Sequence, residues 1–488
     1  MNKYYKILEF DKIIALVKQY ARLPQTQSNL ENIKIYNEIE EIQKALDEVD
    51  EATILIQRMG SFPLLFHTDI SFYLNKVHKY GVLTEEELLE VGNLLDSIKE
   101  NYLYLDKLDS AEIKVEHFNH KVLSMTYFKD LNLKIKKIIT PFGEIKDDAS
   151  SLLKDLRRKQ KDIETSIQKK LQEILNKNQK KLTQNIVSIR NDRFVIPVRV
   201  EYKNTFSGII HDQSASGETV FIEPTIINSL QNQLNQIREE EKQEIYRILK
   251  QISLEINNYY DDLMHAYQIF VELDTIFAKA KYAIKIGAQK PQVNNEGIVD
   301  LVNCRHPLLN VDNVVSNNIN IGTYKGIIIT GPNTGGKTVL LKTIGLLAIM
   351  VKAGMLIPCD ESSNIMIFDN VFADIGDEQS IDQNLSTFSS HLKNIIQIIN
   401  NVTNESLVLL DELGSGTDPS EGTSLAISIF DYLIKKDCLV IATSHYSELK
   451  IYAYNSNDVI NASVEFDEKT LKPTYKLLMG VPGMSNAL

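Results

Sequence analysis

The stretch that decides the fold reads Gly326-Ile-Ile-Ile-Thr-Gly-Pro-Asn-Thr-Gly-Gly-Lys-Thr338. Gly326 to Thr330 is a short β-branched run, the composition of a buried parallel strand. Gly331 to Thr338 fits the pattern Gly-x-x-x-x-Gly-Lys-Thr, and Val339 to Lys352 is helical in composition with a stop near Gly354. Strand, glycine loop and helix in that order point backbone N–H groups and a helix N-terminus at bound phosphates. Gly331, Pro332, Asn333, Thr334, Gly335, Gly336, Lys337 and Thr338 are therefore expected to cradle a nucleoside triphosphate, ATP or GTP. Lys337 would reach the β- and γ-phosphates and the Thr338 hydroxyl would sit on Mg²⁺.

Two further strands carry chemistry. Ser406 to Glu412 (Ser-Leu-Val-Leu-Leu-Asp-Glu) is an apolar run ending in two acids. In a nucleotide-hydrolysing site Asp411 would position the metal and Glu412 would orient the attacking water. Leu439 to Thr443 then delivers Ser444 and His445. A histidine at the C-terminal end of a parallel strand lies on the ligand edge of an α/β sheet, where it could sense the γ-phosphate.

Composition narrows the class. The chain has 488 residues, 43% hydrophobic and 24% charged, enough for two to four ordinary domains. No stretch approaches the ~20 apolar residues of a membrane span, and the N-terminus lacks the apolar core of a signal peptide. Cys304, Cys359 and Cys438 are scattered without metal-ligand spacing, so buried thiols in a reducing, cytoplasmic setting are expected. A net charge of −12 excludes a uniformly basic nucleic-acid coat. Locally the sign reverses: Ser151 to Lys203 holds fourteen Lys or Arg against six Asp or Glu. That run reads either as the solvated face of a long helix or as a contact surface for phosphate backbone.

The first 140 residues are helical in pattern. Thr84 and Glu87 fit a capping box, followed by Leu88, Val91, Leu95 and Ile98 at helical spacing. From Glu144 to Ile196 there is neither Gly nor Pro, and the stretch to about Leu182 reads as helix, with Ile163, Ile167, Leu171 and Ile174 on one stripe. Thr225 to Ile286 is a second such run, and a continuous helix of that length would reach ~90 Å. The pair suggests antiparallel helical arms. Between them the period changes to that of strands, around 186–189, 194–200, 207–211 and 219–222, so that a small antiparallel sheet rides at the tip. Pro291 and the polar segment Asn294–Gly297 mark a boundary. The expected layout is a helical core at 1–143, arms at 144–290 with the sheet at about 185–224, and a nucleotide domain at 291–488.

Several of these segments together resemble the MutS family of ATPases. They are the GPNTGGKT loop, Asp374-Ile-Gly-Asp-Glu, Ser386-Thr-Phe, Asp411-Glu-Leu-Gly-Ser-Gly-Thr-Asp-Pro-Ser-Glu-Gly422 and Thr443-Ser-His, with Arg305-His-Pro upstream. The segment His211 to Pro224 (HDQSASGETVFIEP) is similar to the second bacterial branch, which lacks the mismatch-reading domains. The resemblance covers essentially the whole chain. It implies an α/β plus all-α fold: a helical core, lever helices carrying a small antiparallel β clamp, and an ABC-like P-loop ATPase domain. It implies ATP and Mg²⁺ as ligands, with Thr338 and Asp411 on the metal and Glu412 and His445 in catalysis. It further implies a homodimer in which Ser386, by itself only a helix cap, reaches the nucleotide of the second subunit. Phe-x-Glu occurs at Phe142, Phe270 and Phe466 by chance only, so wedge-type mismatch reading is not expected. Family members continue into helices, a basic linker domain and a small MutS-related nuclease domain, so this chain is expected to be a fragment with no nuclease residue. Two functions fit: an ATP-driven clamp that splits stalled or collided ribosomes, through rRNA phosphates, and a clamp on branched DNA that suppresses recombination. The intact Glu412 argues against a third, a non-hydrolysing dimer lock.

Overall fold

A computed structural model describes residues 2–332, 335–376, 387–415, 418–467 and 472–482. The fold is mixed α/β, with three sheets among the described residues. The chain forms two compact units, each assembled from separated segments. One comprises Met1–Pro63, Tyr102–Ser124 and Gln268–Leu488, the other Leu64–Asn101 and Met125–Tyr267.

The second unit contains the long helices and one sheet. Its capping box forms as the sequence suggests: Thr84 N donates to Glu87 Oε2 at 2.8 Å and Glu87 N to Thr84 Oγ1 at 3.3 Å. Leu88, Val91, Leu95 and Ile98 are fully buried behind it. The first long helix is shorter than its Gly- and Pro-free run, spanning Ser151–Lys177. Ser150 caps it by accepting from Leu153 N, which ends the irregular approach from Glu144. Helix Thr225–Asn257 packs antiparallel against it. Ser150 meets Glu244, Arg157 meets Glu241 and Glu164 meets Arg238, so partner numbers fall as the chain advances.

The second run does not form one ~90 Å rod. It divides at Asn258–Tyr259 into Thr225–Asn257 and Tyr260–Ile286. Two consecutive asparagines explain a break without Gly or Pro, because their short amides compete for backbone hydrogen bonds and favour caps over helix interiors.

Four strands lie between the two long helices in sequence: β1 (Ser188–Arg190), β2 (Arg193–Arg199), β3 (Gly208–Gln213) and β4 (Thr219–Pro224). They form an antiparallel sheet in the order β1-β2-β4-β3. One apolar cluster joins helices and sheet: Ile167, Leu171 and Leu175 pack with Phe194, Ile196, Val198, Val220 and Ile222, and with Ile227 and Leu234 of the second helix. Gly208 is required by close approach, since a Cβ there would lie 2.1 Å from Glu223 O. Glu223, fully buried on β4, accepts from Arg193 Nη1 at 3.0 Å and pairs with His211 Nε2 at 2.7 Å. The basic run is largely on the outside: Lys154, Arg158, Lys159, Lys161, Lys169 and Lys170 are exposed.

In the first unit, β5 (Gln292–Asn294), β6 (Val299–Cys304), β7 (Asn317–Ile321) and β9 (Asn364–Met366) form a mixed sheet ordered β5-β9-β6-β7. The larger sheet is ordered β10-β11-β12-β8-β13-β14. Its strands are β8 (Gly326–Thr330), β10 (Val371–Asp374), β11 (Leu407–Leu410), β12 (Leu439–Thr443), β13 (Val459–Asp467) and β14 (Lys472–Met479). Every neighbouring pair is parallel except β13 with β14. β8, β11 and β12 are buried along their whole length, which is why they read as unbroken apolar runs. The helix after the loop spans Lys337–Lys352 and is buried nearly all round. It stops where the sequence indicates. Gly354 has φ +62°, its N–H bonds Val351 O, and Met355 N bonds Met350 O, the paired bonds of a Schellman ending. All three cysteines are buried and unpaired, and no helix of the described residues is long and apolar enough to cross a membrane.

Glu223 offers a direct check on the β-sheet unit. Glu223→Ala leaves Arg193 and His211 facing an empty buried position, and should cost toward the lower end of about 3–5 kcal/mol because both partners retain some solvent contact. Denaturant titration measures this; a loss below about 1 kcal/mol would show that the triad does not hold the sheet.

Candidate functional site

Four parallel strands of the large sheet, β8, β10, β11 and β12, end on one edge, and each hands a polar residue to it. β8 runs into the glycine loop. Gly331 has φ +138° and Gly336 +85°, and a Cβ at Gly331 would stand 2.5 Å from Val464 Cγ2. Positive φ and closeness to β13 both demand glycine at 331. Gly336 is the N-cap of the following helix, so the first N–H groups of that helix face the loop. Lys337, 3% exposed, donates from Nζ to Gly331 O at 2.6 Å. Burial lowers its pKa, and the nearby Glu412 and Asp411 act in the opposite direction.

Asp411, one residue beyond β11, is gripped by two hydroxyls. Thr338 Oγ1 donates to Oδ2 at 2.6 Å, and Thr443 Oγ1 donates to Oδ1 at 2.5 Å. The Thr443 hydroxyl also accepts from Glu412 N at 2.8 Å. One threonine thus fixes both acids. Glu412 has φ +48°, a left-handed conformation that non-glycine residues adopt at a cost of about 1 kcal/mol or more, and such residues cluster at functional sites. His445 Nε2 lies 3.6 Å from Glu412 Oε1 and 3.5 Å from Lys337 Nζ. Lys337, Thr338, Asp411, Glu412 and His445 therefore converge on one edge, although more than a hundred positions separate the first from the last.

Asn333, Thr334 and Ser386 lie outside the described residues. Gly331, Pro332, Gly335 and Gly336 stand in the loop, with Gly335 N donating to Pro332 O at 3.0 Å.

Among the described residues no cluster of three or more His, Cys, Asp or Glu could hold a metal ion. A single carboxylate beside a threonine hydroxyl, at the mouth of a phosphate loop, suits Mg²⁺ in particular. That ion keeps several waters and takes one or two carboxylates plus substrate phosphates.

Three features of this edge gain their roles only from the fold. Thr443 ends its strand and opens the Thr-Ser-His segment; the parallel register, with Leu410 opposite Ala442, places it beside Asp411. A mostly apolar cavity beside Gly336 is lined by His306, Leu309, Val315, Leu340, Val464 and Tyr475. Burial pushes the His306 pKa down to about 4, so the imidazole in that wall is neutral near pH 7. Tyr475, with φ +61°, is held in this unusual conformation where Asn317 Nδ2 donates to its carbonyl. The third is Asp374, the last residue of β10, which binds His391 Nδ1 at 2.9 Å.

Residues 327–486 match the family model for MutS domain V. The whole chain is 45% identical over 489 residues to Endonuclease MutS2 of Bacillus velezensis and 43% identical over 492 residues to the protein of the same name from Clostridium perfringens. It is 45% identical over 489 residues to Putative endonuclease MutS2 of Bacillus subtilis. Each match takes in all of this chain and 62% of the relative, so the chain spans less than two thirds of the length of these curated relatives. With MutS domain V laid over the glycine loop, both acids and the histidine, and with likeness to MutS2 proteins from end to end, this chain belongs to the MutS family, as a protein of the MutS2 type.

Proposed function

We propose that this chain hydrolyses ATP at the loop edge and uses the reaction to work a clamp on a large polyanion. The observation that carries the reading is the convergence of Lys337, Thr338, Asp411, Glu412 and His445 at the ends of parallel strands. The loop N–H groups and the helix N-terminus bind phosphate oxygens, and Lys337 places its charge on the β- and γ-phosphates. Thr338 and Asp411 would hold Mg²⁺, which when bound would supply positive charge against the phosphate oxygens. Glu412, fixed through Thr443, orients the attacking water and takes its proton, and His445 hydrogen-bonds the γ-phosphate. The cavity beside Gly336 takes the base, with Tyr475 as an aromatic wall.

In this reading the protein works as a homodimer, and Ser386 of each subunit completes the site of the other. Residues 144–290 form the arms and clamp, and the exposed lysines of Ser151–Lys177 supply phosphate contacts. Ribosome splitting is the first assignment, because the arms and basic face suit a large polyanion. Branched DNA is the second, favoured by the word endonuclease in the names of the relatives.

Glu412→Gln tests both layers. The variant should bind ATP as the wild type does, while turnover falls by roughly 10²–10⁴-fold, the weight of a positioned base. Offered collided ribosomes and four-way DNA at physiological salt, the ATP-loaded variant should be retained on ribosomes. Turnover at the normal rate removes Glu412 from catalysis; retention on branched DNA alone moves the assignment to the second reading.

A further inference from the structure

The edge strand β10 ends in a carboxylate that the hydrolysis scheme above does not use. Asp374 is 7% exposed, and both its oxygens are taken by one face of helix Thr387–Asn401. His391 Nδ1 meets Oδ2 at 2.9 Å and Asn394 Nδ2 donates to Oδ1 at 2.9 Å, three residues apart and so on the same side of the helix. Asn394 Nδ2 also reaches Ala373 O at 3.2 Å. The backbone carbonyl of Asp374 accepts from Asp411 N at 2.8 Å. One residue therefore fastens the helix that begins directly after Ser386 to the acid that Thr338 grips.

The other side of Asn394 leads away from the site. Its Oδ1 accepts from Lys3 Nζ at 2.9 Å, and Lys3 also reaches Gln397. Tyr4, beside it, is buried with its ring edge against Phe372 of β10 at 5.3 Å between centroids. Lys3 itself is exposed, with its ammonium 4.8 Å from the centroid of the Tyr4 ring. A continuous path of hydrogen bonds thus runs from Lys3 through Asn394 and Asp374 to Asp411 and Thr338. Every link within it is 2.9 Å or shorter.

We propose that Asp374 is a positioning residue. With His391 and Asn394 it holds helix Thr387–Asn401 in register with Asp411, and Lys3 on the N-terminal helix sets that register from outside the site. This rests on the hydrolysis reading above. Asp374 touches neither phosphate nor metal in this account; it fixes the strand end that carries Asp411 against helix Thr387–Asn401. A displacement of about 1 Å at such a junction can cost up to ~10²-fold in rate while leaving substrate binding in place.

The experiment uses the full chain as wild type, Lys3→Ala, Lys3→Arg, Asp374→Ala and Lys337→Ala. It reads kcat for ATP, affinity for a fluorescent ATP analogue with Mg²⁺, Tm, and amide hydrogen exchange over 389–401. Asp374→Ala should lose roughly 10–100-fold in kcat with analogue affinity within about twofold of wild type. Lys3→Ala, a surface change, should lower kcat several-fold and speed exchange over 389–401 at unchanged Tm and affinity, and Lys3→Arg should restore both. Wild-type kcat in Lys3→Ala, or a loss that follows Tm and is not restored by Arg, overturns the proposal whether or not Asp374→Ala folds. If wild type and Lys337→Ala hydrolyse ATP alike, the hydrolysis reading falls and the coupling with it. If Lys337→Ala is dead and Lys3→Ala is indifferent, the coupling alone is wrong.

Discussion

The grip of two threonine hydroxyls on the Asp411 carboxylate is the constraint around which the rest of the site is arranged. Thr338 belongs to the helix after the glycine loop, Thr443 to the end of β12, and Asp411 to the end of β11. Three elements distant in sequence are tied at one carboxylate, at distances of 2.6 and 2.5 Å typical of strong O–H···O⁻ bonds. The consequence reaches Glu412, whose N–H is held by the same Thr443 hydroxyl while its φ of +48° turns its side chain out of the strand direction. Left-handed backbone at a non-glycine residue persists only where the surroundings over-determine it. Here the parallel register of β11 with β12 does so.

The unit with the arms obeys a different economy. Its helices meet through cross pairs such as Arg157 with Glu241, which are partly exposed and individually weak. Its sheet is held instead by an apolar cluster shared with both helices and by the buried Glu223 between Arg193 and His211. Glu241 of the second helix pairs with Arg157 of the basic run, and the exposed lysines of that run stay positive on a chain whose net charge is −12.

Much of the loop edge was legible because its signals are local. A β-branched run, glycines at 331 and 336 and an apolar helix behind them are each dictated by neighbours in sequence, and Asp411 and His445 sit at strand ends that the apolar runs mark. The four short strands at 188–224 were legible for the same reason, through alternation between two Gly- and Pro-free runs. What escaped depends on register between distant strands: Thr443 gains its role from the strand beside it, and Asp374 from a helix that follows residues 377–386. The break at Asn258 escaped because asparagine is only a weak stop signal beside Gly or Pro. The cavity at Tyr475 has no local signature either, since it is assembled from residues 304 to 477.

The most direct measurement is equilibrium binding of a non-hydrolysable ATP analogue to wild type and Asp411→Asn, with Mg²⁺ and with chelator. If Thr338 and Asp411 form the metal side of a nucleotide site, Mg²⁺ should tighten wild-type binding by about tenfold or more, roughly 1.4 kcal/mol, and that gain should vanish in Asp411→Asn. Binding in the wild type that is indifferent to Mg²⁺, or an equal gain in both proteins, would contradict the account at its centre.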